Sequence, residues 1–167
     1  MTTLLIVIIY LAFISLGLPD SLLGSAWPSM YQGLGSTISG AGNIFMIISA
    51  GTIFSSLMSD MVIHKFGTGK VTAASVAMTA FSLFGFASCT AYWQLCLFAI
   101  PYGLGAGAID SALNNYVALH LKARHMSWLH CMWGIGASVG PYIMGMCLTA
   151  GHGWQSGYRT IGFIQVV

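Results

Sequence analysis

Residues 4–28 read LLIVIIYLAFISLGLPDSLLGSAWP, an apolar run in which Asp20 is the only charged side chain. An α-helix rises about 1.5 Å per residue, so about 20 residues cross a hydrocarbon layer about 30 Å thick. This run is long enough to do so. It lacks the basic start of a signal peptide and is far longer than the apolar segment of one, which predicts a span that stays attached.

The rest of the chain agrees. Of its 167 residues, 57% are hydrophobic and 5% are charged, against about a quarter charged in ordinary soluble domains. Five Lys and Arg with three Asp cannot cover a water-facing surface of this size. The solvent is therefore lipid. A dispersed net charge of +2 with no basic stripe excludes a nucleic-acid partner. Cys89, Cys96, Cys131 and Cys147 stand singly, without metal-type spacing, and read as small buried hydrophobes.

The same length rule predicts five complete spans, about Leu4–Pro28, Thr37–Met61, Val71–Ser88, Trp93–Leu119 and Met126–Ala150, with a sixth starting at Tyr158 and cut at Val167. Backbone groups in lipid must be satisfied within their own segment, so the fold class is all-α, a polytopic membrane helical bundle. Lys65 and Lys70 fall between spans 2 and 3, and Lys122 and Arg124 between spans 4 and 5. These connections share one side, which the positive-inside rule makes cytoplasmic together with the N-terminus. Trp27, Tyr31, Tyr92, Trp93, Trp154 and Tyr158 mark the opposite boundary as an aromatic belt.

Two of the three carboxylates share a frame: GLPDSLL at 17–23 and GAIDSAL at 107–113. Asp20 lies about 24 Å along an outward span and Asp110 about 26 Å along an inward one, so the two sit at opposite depths. An inverted repeat of three helices plus three helices has this property. A carboxylate inside a bilayer must face a bundle interior, water or a partner. Removal from water tightens a carboxyl group's hold on its proton, so changing water access drives proton exchange. Pro19 frees a helix carbonyl beside Asp20. Asp20 and Asp110 are accordingly the proton-coupling candidates, with a structural hydrogen bond to a neighbouring helix as the alternative.

Asn114 and Asn115 lie one turn beyond Asp110, where their amides suit either sugar hydroxyls or interhelical bonds. Asn43 in span 2 reads the same way. His130, between Trp128 and Trp133, either serves a solute and relays a proton or caps a carbonyl; the residues leave both open. His120 and His125 flank the basic loop as interfacial residues. Asp60, near His64 and Lys65 at the cytoplasmic end of span 2, suits a structural or gating role. Gly103, Gly105 and Gly107 lack the strand and spacing of a dinucleotide site and predict close helix packing, as do Gly40, Gly42, Gly51, Gly136 and Gly140. GTGK at 67–70 lacks phosphate-loop spacing and is a turn. No nucleophile–base pair or metal cluster points to an enzyme, and no cofactor is implied.

The connection SDMVIHKFGTGKVT at 59–72 resembles the loop of the major facilitator superfamily, whose pattern is G-x-x-x-D-[RK]-x-G-[RK]-[RK]. Lys65 and Gly67 fit, Lys70 supplies the trailing basic group one place late, and His64 and Asp60 occupy the family's Asp and Gly positions. WLHCMWGIGASVGPYIMG at 128–145 resembles its G-x-x-x-G-P element through Gly136, Gly140 and Pro141. With GLGAGAIDSALNNYV at 103–117 and LGLPDSLLGSAWP at 16–28, the chain is most similar to the fucose-permease-like, sugar-transporting branch.

That resemblance implies proton-coupled uptake of a sugar or similar small polar solute. Asp20 and Asp110 would be the protonation sites; Asn114, Asn115, His130, Trp133 and Asn43 would bind solute. Asp60, His64, Lys65, Gly67 and Lys70 would form the gating loop. The chain matches an N-terminal transmembrane domain over 1–167, truncated inside the sixth helix and without the C-terminal six-helix half. Its partners would be the lipid bilayer, protons, the solute, and the missing half or a second copy, in the inner cell membrane. The alternative is a non-transporting membrane subunit or scaffold.

Overall fold

The computed structural model describes residues 2–166; Met1 and Val167, where the sixth span was expected to be cut, lie outside them. Seven helices follow one another: α1 Thr2–Asp20, α2 Leu22–Met30, α3 Gly40–Phe66, α4 Thr68–Ser88, α5 Tyr92–His120, α6 Ala123–Thr149 and α7 Gly153–Val166. No strand occurs among the described residues. Five segments are long and apolar enough to span a bilayer, with α1 and α2 together forming the first.

The first span is not one continuous helix. It breaks at Ser21, two residues after Pro19. A proline removes its own N–H from the helix ladder and crowds the carbonyl four residues back, here that of Ser15. The break leaves Asp20 at the last position of α1, facing its neighbours from a helix end. Between α3 and α4 the chain reverses through Gly67 alone, whose φ of 82° lies in the left-handed region. Glycine adopts that conformation without steric cost.

Helix α5 is central, packed against α3 on one side and α4 on the other; α1 lies along α6, and α7 bridges α6 and α4. Glycines set the closest approaches. A methyl group on Gly107 would stand 2.5 Å from the Thr52 carbonyl oxygen, and one on Gly103 would strike Ile48. On the other pair, Gly136 and Gly140 of α6 leave no room against Ile14 and Leu18, and Gly17 of α1 none against Trp133 and Ala137. Gly105 seats α4 through Ser75. Gly42, expected in the same role, has open space around it, because it lies on the outward face of α3.

These contacts explain the repeated frame. Gly17 presses on α6 as Gly107 presses on α3, and in each case the aspartate follows three residues later. Exchanging the first three spans for the last three turns the α1–α6 pair into the α5–α3 pair, the relationship of an inverted repeat.

The core has two regions. Ile9, Phe13 and Leu16 of α1 meet Ile109, Leu113 and Val117 of α5 and Leu129 of α6 near the basic connections. At the other end Trp27, Met30, Leu83, Phe86, Tyr102, Met144 and Tyr158 form a larger cluster. The belt aromatics are divided by this packing. Trp93 is 64% exposed, but Trp27 and Tyr158 are buried in the core. Trp27 stacks on Tyr31 and donates its indole N–H to the Ile38 carbonyl at 2.8 Å. An aromatic near a span end packs inward when a neighbouring helix offers a partner there, as Tyr92 does for Trp27. Helix α3 is the least covered, with Met46, Ile53, Leu57 and Met61 exposed, as suits a surface whose solvent is not water.

Candidate functional site

The break after Pro19 gives Asp20 access to two other helices. Tyr102 of α5 donates its hydroxyl to Asp20 Oδ1 at 2.8 Å, and Trp133 of α6 donates its indole N–H to Oδ2 at 2.8 Å. Each oxygen of the carboxylate thus has its own donor. Interhelical hydrogen bonds in membranes contribute about 0.6 kcal/mol each and up to about 1.7, and these two orient a carboxyl group that would be costly facing lipid. Asp20 also borders a cavity of about 180 Å³ lined by Leu23, Phe45, Ile48 and Tyr158. The Tyr158 hydroxyl is buried without a protein partner, so this chamber carries polar groups from three helices.

Asp110 is held differently. Asn114, one turn along α5, donates its amide to Asp110 Oδ1 at 3.0 Å, and the Asn114 carbonyl oxygen is buried without a partner. His130 of α6 lies within electrostatic reach of Asp110, with its ring edge-to-face on Phe13 at 6.4 Å. Trp133 and His130 are three residues apart on α6 and so share a face. Tyr102 and Asp110 are two turns apart on α5, about 12 Å. Trp133 thus bonds to Asp20, while His130, one turn away on the same face of α6, makes no bond to Asp110, whose partner is Asn114.

Of the expected site residues, Asp20 and Trp133 meet directly, Asp110 and Asn114 meet directly, and His130 stands beside the second pair. Asn115 is half-buried and bonds to neither aspartate. Asn43 is exposed at the start of α3, beside Tyr92; Tyr92 is ten residues before Tyr102, about 15 Å along α5. It bonds to neither aspartate. In the basic turn, Asp60 and His64 are exposed and 3.5 Å apart, Lys65 lies over the Phe66 ring, and Lys70 falls in the first turn of α4. No three His, Cys, Asp or Glu side chains among the described residues converge as a metal site requires.

Two contributors were missed in the sequence, Tyr102 and Tyr10. A tyrosine inside an apolar span carries a hydroxyl that needs a partner, and the two-turn spacing of Tyr102 from Asp110 was the available signal. Tyr10 Oη lies 2.7 Å from His125 Nδ1, joining α1 to α6 near the basic end.

Comparison with known proteins agrees with this architecture. The sequence profile of the Major Facilitator Superfamily matches residues 9–167. The sodium-dependent glucose transporter 1 of Danio rerio is 25% identical over 136 residues, 79% of this chain and 23% of that protein. The 4-hydroxybenzoate transporter PcaK of Pseudomonas putida is 27% identical over 145 residues, 84% of this chain and 32% of the relative. Its namesake in Pseudomonas aeruginosa is 26% identical over 157 residues, 90% and 34% of the two chains. The chain thus spans about a quarter to a third of the length of the curated relatives it matches. A multi-pass helical bundle whose repeated Gly-x-x-Asp frame packs both halves alike, matched by that profile over nearly its whole length, belongs to the Major Facilitator Superfamily of membrane transporters.

Proposed function

We propose that this chain forms one wall of a secondary active transporter that moves a small polar solute, sugar-like in its hydroxyls, together with protons. The observation that carries the reading is the pair of intramembrane carboxylates, Asp20 bonded to Tyr102 and Trp133 and Asp110 bonded to Asn114. Asp20 and Asp110 exchange protons; Asn114, Asn115, His130 and Trp133 offer donors and acceptors to solute hydroxyls. A proton bound with solute removes a buried charge and lowers the barrier to rocking between outward- and inward-open states.

The gate in this reading is the turn of Asp60, His64, Lys65, Gly67 and Lys70, which allows α3 and α4 to pivot about a single residue. The second wall is another helical body or a second copy, the membrane is the inner cell membrane, and the N-terminus is cytoplasmic. A second reading, uptake of an aromatic acid, is favoured by the exposed rings of Trp128 and Trp133 on α6 and by the names of the two Pseudomonas relatives.

Uptake into proteoliposomes holding this chain in a transport-competent assembly with its second wall tests these readings. Labelled glucose and 4-hydroxybenzoate are offered under an inward proton gradient or an inward sodium gradient. Sugar accumulation that follows the proton gradient and collapses with a protonophore is the expected result. Accumulation of the aromatic acid alone would move the assignment to the second reading, and no uptake of either would leave the chain a membrane scaffold.

A further inference from the structure

A groove on the lipid-facing side lies away from the aspartates. Helices α3, α4 and α5 enclose a cavity of about 500 Å³ between Phe54, Met58, Val62 and Phe66 on one wall and Val71, Ala74 and Met78 on the other, with Leu104 and Ala108 at its floor. Volumes of this size are typical of sites that hold a small organic molecule. Along α3 it runs from Phe66 to Phe54, about 18 Å at 1.5 Å per residue. That is close to one leaflet of a hydrocarbon layer about 30 Å thick, the reach of one acyl chain from headgroup level to the midplane.

The groove is mostly apolar, with the hydroxyls of Ser55, Ser59 and Ser75 along it and, among the described residues, its only charged one, Lys70, at its mouth. Lys70 lines the mouth from the first turn of α4, where a cation opposes the helix dipole and an anion is favoured. Lys65 lies over the ring of Phe66, which itself lines the groove, at 5.4 Å. Asp60 pairs with His64, and no ion pair engages either lysine among the described residues. About 10 Å along α3 from Phe66, Ser59 is 5% exposed, lines the groove, and its hydroxyl has no partner. Serines in spans ordinarily donate to the carbonyl four residues back, as Ser82 and Ser138 do here. Ser59 does not, so its donor remains available to an acceptor in the groove.

We propose that this groove holds one acyl chain of an anionic phospholipid, with the headgroup phosphate on Lys70 and Lys65 and an ester oxygen accepting from Ser59. An apolar slot with cations at one end matches the lipid's own division into tail and charge. A soluble solute would meet only three scattered serine hydroxyls in an otherwise apolar wall. Bound lipid would also brace α3 against α4, which touch little except at the Gly67 turn.

Native mass spectrometry of the purified chain, titrated with phosphatidylglycerol and with phosphatidylcholine of the same acyl composition, tests this. Phosphatidylglycerol is expected to bind several-fold more tightly. Lys70→Gln should lower its affinity about fivefold, the factor for about 1 kcal/mol per basic residue at an anionic surface, and leave phosphatidylcholine unchanged. Ala74→Trp, on an exposed groove position, should weaken both lipids by filling the slot without changing charge. Lys122→Gln, at the other basic connection, should change neither. Equal affinity for the two lipids, undiminished binding in Ala74→Trp, an equal loss in Lys122→Gln, or equal occupancy by glycerol phosphate lacking acyl chains would each overturn the proposal.

Discussion

The Trp133 indole and the Tyr102 hydroxyl bind opposite oxygens of one carboxylate, Asp20, each at 2.8 Å, so a single acidic side chain joins α1, α5 and α6. Removing either donor leaves the other in place. Trp133→Phe and Tyr102→Phe should each cost about 0.6 kcal/mol, and up to about 1.7, the range of interhelical hydrogen bonds in membranes. The double variant should lose more than the sum, because only it leaves the carboxylate without a donor. Unfolding in sodium dodecyl sulfate, followed by circular dichroism, provides the comparison; strict additivity would show that the two bonds do not share an acceptor.

Glycine substitutions should separate contact from composition. Gly107→Ala places a methyl 2.5 Å from the Thr52 carbonyl oxygen, and overpacking of this kind costs about 1–3 kcal/mol. Gly42→Ala meets nothing within 4 Å and should stabilise α3 by about 0.4–1 kcal/mol. Equal effects of the two in the same unfolding titration would contradict the packing described for α3 and α5.

The Tyr10–His125 bond is a local clamp on the α1–α6 pair. Tyr10→Phe and His125→Ala, singly and together, should show a coupling energy of about 0.6–1.7 kcal/mol, accompanied by faster hydrogen exchange at the start of α6. A coupling near zero would mean that the pair contributes nothing.

Cysteine chemistry gives a pH-dependent prediction. Cys89 is buried just past the end of α4, and burial pushes its thiol from the ordinary 9.0 up to about 11. Folded protein therefore holds this proton where unfolded protein loses it, so the contribution of Cys89 to stability is intact below about pH 9 and falls as pH rises towards 11. Cys131 is exposed. At pH 8 a maleimide should label Cys131 and spare Cys89 until the protein is unfolded; mass mapping showing equal labelling in the folded state would contradict this.

Span number and approximate limits were legible because lipid imposes a length and an apolar composition that nothing else in the chain satisfies. The Asp-Ser frame was legible as a repeat, since charge is rare enough here for coincidence in spacing to carry meaning. The identity of the groups facing each aspartate was not. Whether Tyr102 or another aromatic reaches Asp20 depends on the break after Pro19 and on how α5 lies against α1, which the packing of helices distant in sequence decides. The same limit explains Trp27 and Tyr158: hydropathy places them near a span end, and only packing decides whether they face headgroups or core. Asn43 illustrates the converse, a polar residue in a span that lies near a helix end and has no need of a buried partner.

Proton exchange at Asp20 and Asp110 is tested most directly by recording solute-driven proton flux in proteoliposomes of a transport-competent assembly of this chain, with Asp20→Asn, Asp110→Asn and both together. Solute-driven flux should fall at least tenfold in each single variant and vanish in the double, while solute exchange without a proton gradient persists. Undiminished proton flux in the double variant would contradict proton coupling through these two carboxylates.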